Sequence, residues 1–331
     1  MNTPPILYLA PLRGITDRFF RSVYERHFGC FDYIVAPFIS TVKGNSVRLR
    51  HLKDTLPEEN DLKRLIPQII GNDTEGFLLL CKRFSQQGFE KVNWNLGCPS
   101  PLITRKRRGS GLLPHKDEIR AFLEKTVPSM PLSLSVKVRL GLEQKGDLEK
   151  LIPVFNDFPL REVIIHPRTG NQMYDGSVDL DTFETCYYQC THEVVYNGDI
   201  QSKSDLLYLS NRFPRIRKWM IGRGLIRYPY LLPIIRGAEN RFSAEKANLF
   251  LSDLLEVNCR HLPGERNVLG KMKELWGFLG TGLDASGRLT ERILRCSSID
   301  EYRAEIESFL RCHTGFLPLP KNNIAETGTA D

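Results

Sequence analysis

The chain contains no stretch close to the roughly 20 consecutive apolar residues that a membrane-spanning helix needs, so a helical integral membrane protein is excluded. It contains no Cys-x-x-Cys pair. Its eight cysteines lie at positions 30, 81, 98, 186, 190, 259, 296 and 312, and only Cys186 and Cys190 are close, at a spacing that suits one face of a helix. Without a ligand framework for zinc or an iron–sulfur cluster, no metal is expected, and the thiols read as reduced. No Gly-x-Gly-x-x-Gly follows the first apolar strand, which argues against an open dinucleotide-binding sheet. Residues Met1–Pro5 carry neither a basic n-region nor an apolar h-region, so the expected location is the cytoplasm.

What is present belongs to an ordinary globular chain. At 331 residues, 41% hydrophobic and 26% charged, it can hold one large domain and a small one. The net charge of +7 is mild, and its distribution says more than its size. Arg105-Lys106-Arg107-Arg108 forms one cluster, Arg48, Arg50 and Lys53 a second, and Arg212, Arg215, Arg217 and Lys218 a third. Each is read equally as a solvated face or as a surface for nucleic acid.

Short apolar and β-branched runs predict eight strands, at about Ile6–Ala10, Tyr33–Phe38, Leu65–Ile70, Lys91–Leu96, Leu134–Arg139, Glu162–His166, Glu193–Asn197 and Trp219–Gly222. Amphipathic stretches between them predict helices at Asp17–Arg26, Thr74–Gln87, Lys116–Thr126, Asp147–Phe158 and Ser202–Asn211. This alternation demands a parallel sheet and has the size of a (β/α)8 TIM barrel, an α/β fold. From about Ser243 to Arg311 only helical periodicity remains, which predicts a small C-terminal helical bundle. Expected boundaries are a barrel over 1–240, helices over 241–315 and a disordered tail over 316–331.

In such a barrel, the carboxyl ends of the strands face the reaction centre. Here they hold Ala10-Pro11, Gln68, Asn95 and Cys98, Lys137 and Arg139, His166 and Arg168, Asn197-Gly198-Asp199, and Gly222-Arg223-Gly224. The sharpest of them is Asn95-Leu96-Gly97-Cys98-Pro99-Ser100, where a strand runs into a turn that presents a thiol, with Gly97 expected to allow the turn and Pro99 to fix its direction. With no paired carboxylates, glycosidase-type chemistry is not expected. The ring of amide, cationic and imidazole groups suits a flat heterocycle that becomes anionic. An inward Lys137 can stabilise negative charge on a reduced isoalloxazine, Gln68 can bond its pyrimidine edge, and the glycine turns after strands 7 and 8 suit a phosphate.

The ordered set Leu9-Ala10-Pro11-Leu12-Arg13-Gly14, Asn95-Leu96-Gly97-Cys98-Pro99-Ser100, Val136-Lys137-Val138-Arg139-Leu140-Gly141, His166-Pro167-Arg168-Thr169, Tyr174-Asp175-Gly176, Asn197-Gly198-Asp199-Ile200 and Ile221-Gly222-Arg223-Gly224 resembles the tRNA-dihydrouridine synthases. The resemblance covers about residues 6–232, and Lys271-Met272-Lys273 is similar to the basic helix of the small tRNA-binding domain in that family. It implies bound FMN, NADPH as reductant, and reduction of the C5–C6 double bond of a tRNA uridine; separately, a monomeric, cytoplasmic, non-membrane enzyme is expected. Carried over, Pro11, Gln68, Lys137, His166, Asn197, Gly198, Asp199, Gly222 and Arg223 would bind the cofactor, and Cys98 would be the general acid. Asn95, Arg139, Arg168 and the basic run Arg105, Lys106, Arg107 and Arg108 would meet the substrate. Three positions depart from the family pattern: Arg13 follows Ala-Pro-Leu where Ala-Pro-Met and a small or acidic residue are usual, Asn93 replaces an Asp, and Pro37 stands where Glu is common. Two alternatives stay open: a small-molecule FMN enzyme of the dihydroorotate or dihydropyrimidine type, and an RNA-binding protein with an idle flavin site.

Overall fold

The computed structural model describes residues 4–42, 52–238, 243–284 and 286–312. Ten strand segments form one parallel sheet: β1 (Ile6–Leu9), β2 (Tyr33–Val35), β3 (Ile39–Ser40), β4 (Leu65–Ile66), β5 (Gln68–Ile70), β6 (Lys91–Leu96), β7 (Ser133–Gly141), β8 (Glu162–Thr169), β9 (Glu193–Tyr196) and β10 (Lys218–Ile221). Their order is β3-β5-β6-β7-β8-β9-β10-β1-β2-β4. Segments β2 and β3 are halves of one strand, and β4 and β5 halves of the next. Because β2 pairs with β4 (Ile34↔Leu65) and β3 with β5 (Ile39↔Ile69), the two nominal ends of the sheet are the same pair of neighbours. The sheet therefore closes into a (β/α)8 barrel of TIM type.

Both expected strands at 33–38 and 65–70 are split, and proline is the reason. Pro37 and Pro67 lack the N–H that a central strand donates to its ladder. The Pro67 carbonyl still accepts from Asn93 N at 2.9 Å, so the third strand bends without leaving the sheet. Conversely, β7 and β8 run past their predicted ends, so Arg139, predicted as the last residue of its strand, lies two residues inside it, and Arg168, predicted beyond its strand, lies within β8.

The helices are α1 (Arg18–Phe28), α2 (Thr74–Gln86), α3 (Pro101–Thr104), α4 (Lys116–Thr126), α5 (Gly146–Asn156), α6 (Leu180–Gln189), α7 (Lys203–Arg212), α8 (Arg223–Arg227), α9 (Leu231–Ile235), α10 (Ala244–His261), α11 (Glu265–Leu283), α12 (Arg288–Arg295) and α13 (Ile299–Cys312). Helix α6 was not expected from the sequence, because its buried stripe is only Phe183 and Cys186. Cys190 caps the end of that helix rather than sharing its face.

The chain divides into two compact units. The first comprises Met1–Pro11, Asp32–Gly198 and Phe213–Met220. Tyr8, Ala10, Val35, Ile66, Ile164, Val195 and Met220 fill its barrel interior. Alternate residues of β6 face outward, where Trp94 stacks on Phe122 of α4 at 4.2 Å and meets the edge of Phe77 of α2 at 6.1 Å. Asp73 and Asp179 cap α2 and α6 by accepting from Gly76 N and Thr182 N.

The second unit comprises Leu12–Phe31, Asp199–Arg212 and Ile221–Asp331. In it, α1 packs on α10 through Phe20, Tyr24, His27 and Phe28 around Phe250. Helix α11 approaches α8 so closely that a Cβ on Gly282 would sit 1.9 Å from the Arg227 carbonyl oxygen. Lys271 of α11 donates to the Gly14 carbonyl and pairs with Asp17, so the cation likened to a tRNA-binding helix serves packing here. The basic residues Arg48 and Arg50, and the tail at 316–331, lie outside the described residues. Among the described residues no helix is long and apolar enough to cross a membrane.

Candidate active site

Cys98 lies two residues beyond the end of β6 and is partly exposed. Asn95 builds the turn that carries it, its side-chain Oδ1 accepting from Gly97 N at 3.0 Å and Cys98 N at 2.9 Å. The Cys98 carbonyl in turn accepts from Ser110 N at 3.0 Å and Ser110 Oγ at 3.1 Å. Gly109 makes that closure feasible. It adopts φ +57°, and a Cβ there would lie 2.6 Å from the Cys98 carbonyl oxygen. The sequence pointed to Gly97 as the residue the turn depends on, but Gly97 has no left-handed φ; the indispensable glycine lies twelve residues further along.

Next to the turn, Gln68 of β5 and Asn95 are joined, Asn95 Nδ2 donating to Gln68 Oε1 at 2.8 Å. Strand register sets Asn95 opposite Lys137 on β7. Burial first, and then the Arg139 guanidinium, push the Lys137 ammonium down to about 7, against the opposing pull of Cys98.

Arg139 is buried and clamps two strand ends, donating to the Gly97 carbonyl at 2.9 Å and the Thr169 carbonyl at 2.8 Å. Buried Arg168 donates to the carbonyls of Asp175 and Gly176 and reaches His166 Nε2 at 3.2 Å. A guanidinium only donates, so His166 Nε2 accepts, and neutral His166 carries its proton on Nδ1. The His166 ring stacks near Tyr174, which Arg139 also faces at 5.3 Å. Tyr174, quoted from the sequence only as part of a motif, thus joins the group.

The basic run is divided in its duties. Arg107 pairs with Glu118 at 2.6 Å, and Arg108 turns inward to Asn72 Oδ1 and the Thr41 carbonyl. Arg105 and Lys106 are exposed. Lys218, grouped by the sequence with a surface cluster, is instead buried against Glu162 and Glu193. Pro11 is half-buried beyond the end of β1. Asn197 donates to the Met220 carbonyl at 2.9 Å, while Gly198 stands where a Cβ would be 2.9 Å from Val178. In the second unit, Asp199 at φ +43° accepts from Arg223 at 3.1 Å. Gly222 precedes α8, and a Cβ on Gly224 would collide with the Ile200 carbonyl oxygen at 2.0 Å.

Gln68, Asn95, Lys137, Arg139, His166 and Arg168 include three cationic side chains and no carboxylate. With Lys137 pushed down to about 7 beside Arg139, the set is suited to an anionic or electron-rich ligand. A closed parallel barrel with such a set and a poised thiol at its carboxyl-end positions defines a barrel enzyme. Residues 8–278 match the dihydrouridine synthase family, and the chain belongs to that family. It is accordingly an oxidoreductase. It is 26% identical over 280 residues to tRNA-dihydrouridine synthase B of Pasteurella multocida, covering 83% of this chain and 78% of that one. It is 22% identical over 316 residues to tRNA-dihydrouridine(16) synthase of Neisseria meningitidis serogroup A, covering 92% and 94%. The fold alone is shared with a solved 2-naphthoyl-CoA reductase in complex with 2-naphthoyl-CoA, at a TM-score of 0.50 and 11% identity over 70% of this chain and 50% of that one.

Proposed function

We propose that this chain reduces the C5–C6 double bond of uridines in tRNA, with FMN as its cofactor and NADPH as the source of electrons. The observation that carries the reading is the Cys98 turn, a partly exposed thiol fixed by Asn95 beside a lysine that burial and Arg139 push down to about 7. The donor set fits a flavin: Gln68 offers an amide to a heterocycle edge, Lys137 offers a cation to developing negative charge, and His166 offers an imidazole of defined tautomer. Pro11, Asn197 and Gly198 belong to the same proposed binding set. Asp199, Gly222 and Arg223 keep a cofactor role on the family resemblance.

Reduced FMN, when bound, supplies the hydride for C6 of the uracil. The electron pair displaced from the double bond then resides on C5 and O4. Cys98 Sγ–H donates its proton to C5, and the thiolate regains a proton from solvent. The sum is uridine, NADPH and a proton giving dihydrouridine and NADP+. Asn95 Nδ2 can hold a uracil carbonyl, while Arg139 and Arg168 keep the surrounding loops in place. Exposed Arg105 and Lys106, on the loop that leaves Cys98, attract phosphates next to a uridine swung out of its stack.

On this reading residues 1–240 carry catalysis and the helices over 241–315 bind RNA, and the protein works as a cytoplasmic monomer. Relatives named for two kinds of synthase match at 26% and 22% identity, so the reading extends to the reaction and not to one tRNA position. Holoprotein incubated with unmodified tRNA and NADPH should form dihydrouridine detectable by mass spectrometry. Cys98→Ala should lower the rate by about 10²-fold or more while NADPH still bleaches the flavin at the wild-type rate. No dihydrouridine from the wild type would defeat the reading, and a wild-type rate in the variant would remove Cys98 from it.

A further inference from the structure

A row of buried polar side chains runs across the barrel interior from β7 to the thiol turn. Ser135 Oγ lies 3.2 Å from the Val92 carbonyl, and Asn93 Nδ2 lies 2.8 Å from Ser135 Oγ. Gln68 Nε2 lies 2.7 Å from Asn93 Oδ1, and Asn95 Nδ2 lies 2.8 Å from Gln68 Oε1. Gln68 and Asn93 are fully buried, and Ser135 and Asn95 nearly so.

The polarity of this row follows from its ends. Backbone N–H groups of Gly97 and Cys98 can only donate, so the Asn95 atom facing them is oxygen. Its Nδ2 therefore faces Gln68, which must present oxygen there and nitrogen to Asn93. Asn93 must then present Oδ1 to Gln68 and Nδ2 to Ser135, whose hydroxyl hydrogen goes to the Val92 carbonyl. Each amide has one orientation, and each NH2 group commits one hydrogen to the row. The row uses one N–H of Gln68 and one of Asn95, and on the flavin and uracil reading the second of each is left for a carbonyl acceptor.

We propose that Asn93 and Ser135 are positioning residues that hold the Gln68 and Asn95 amides, and through Asn95 the Cys98 thiol, in their working orientation. The proposal rests on the flavin and uracil reading for what those amides bind, but not for what orients them. Asn93 stands where the resembling family usually has Asp, and the row accommodates either. An ionised carboxylate accepts from Gln68 on one side and from Ser135 on the other, while a protonated one donates to Ser135 as Asn93 does. An apolar side chain does neither.

The test uses Asn93→Leu, Ser135→Ala and Asn93→Asp in FMN-loaded, full-length protein, with two readouts. For tRNA reduction, Asn93→Leu should lower kcat by roughly tenfold or more with little change in KM for tRNA, Ser135→Ala should lower it less, and Asn93→Asp should stay within about twofold of wild type. For the thiol, peptide-resolved iodoacetamide labelling should show the Cys98 rate shifted by about threefold or more in Asn93→Leu and unchanged in Asn93→Asp. The exposed Cys30 and Cys259 serve as internal standards. A folded Asn93→Leu protein with wild-type kcat and wild-type Cys98 labelling would overturn the proposal, as would Asn93→Asp being as impaired as Asn93→Leu. If the wild type reduces no tRNA uridine, the functional reading fails, and the labelling comparison still decides the proposal.

Discussion

Two lysines point into the same barrel and titrate in opposite directions. Burial alone would lower Lys218, at the amino-terminal end of β10, but Glu162 and Glu193 outweigh it and hold the ammonium above its ordinary value. Glu162 is fully buried, accepts from Lys218 Nζ and the Tyr8 hydroxyl at 2.9 Å each, and lies 3.7 Å from Arg161 Nε. Burial and the Glu162 charge push the Tyr8 phenol well above its usual range, so it stays a donor at every working pH. Lys137, further along β7 towards the carboxyl end, has Arg139 rather than a carboxylate beside it and falls to about 7. One end of the barrel interior pairs its lysine with two carboxylates, and the other sets its lysine beside an arginine. The first arrangement serves stability and, on the proposed reading, the second serves binding, which matches the division of labour between the two faces of such barrels.

The largest expected effect lies at the carboxylate-paired end. Glu162→Gln leaves Lys218 buried against a single exposed partner, Glu193, and should cost about 3 kcal/mol of stability, read as a lower urea midpoint, while the turnover of folded protein is retained. An unchanged midpoint would mean that the network is not what secures that end. Second, Lys137→Met should weaken FMN binding to the deflavinated protein by about 10- to 100-fold without lowering the stability of the ligand-free protein. Loss of stability in place of affinity would erase the contrast between the two lysines.

Third, pH should separate them. In the ligand-free protein Lys137 is charged below about 7 and neutral above it, so a ligand that needs the ammonium must take up a proton at higher pH. FMN affinity should be flat below that value and fall by up to about tenfold per pH unit above it, and Lys137→Met should abolish the slope. The same depressed value means that this lysine makes the ligand-free fold more stable as pH rises from about 7 towards the unfolded value near ~10.4. The smallest effects belong to the exposed loop. Replacing Arg105 and Lys106 by Ala should reduce the salt slope of tRNA binding by about 1–2, whereas Arg107→Ala, which breaks an exposed pair with Glu118, should change stability by no more than about 0.5 kcal/mol.

How much of this was readable before folding differs from place to place. The eight strands were legible because a parallel barrel buries both strand faces and writes them as short apolar runs. The prolines at 37 and 67 were equally visible, yet the apolar runs around them hid the breaks they cause. Helix α6 was missed because two buried side chains make too narrow a stripe to show a period. At the site, the thiol turn was legible as Asn95-Leu96-Gly97-Cys98-Pro99. The part played by Gly109 was not, because nothing local shows that its Cα packs on the Cys98 carbonyl. The basic stretches misled for a related reason. Lys218 and Lys271 look like surface cations in sequence, but Lys218 is buried with Glu162 and Lys271 is bound to Asp17.

Chain-local physics settled the rest of what the sequence determined by itself. Side-chain alternation chose the inward residues of β6 and β7, Asp73 started α2 as its N-cap, and the resemblance of the motif set marked the chemistry. Only the tertiary structure decided which inward residues meet. A period of two assigns Gln68, Asn93, Asn95, Ser135 and Lys137 to the barrel interior, but it is silent on register between strands. Register, set by the closure of the whole barrel, placed Gln68 opposite Asn93 and Asn95 opposite Lys137. Those two pairings bring the amides together and set one lysine beside the thiol turn, because hydrogen bonds and buried charges act over a few ångströms in space and not along the chain.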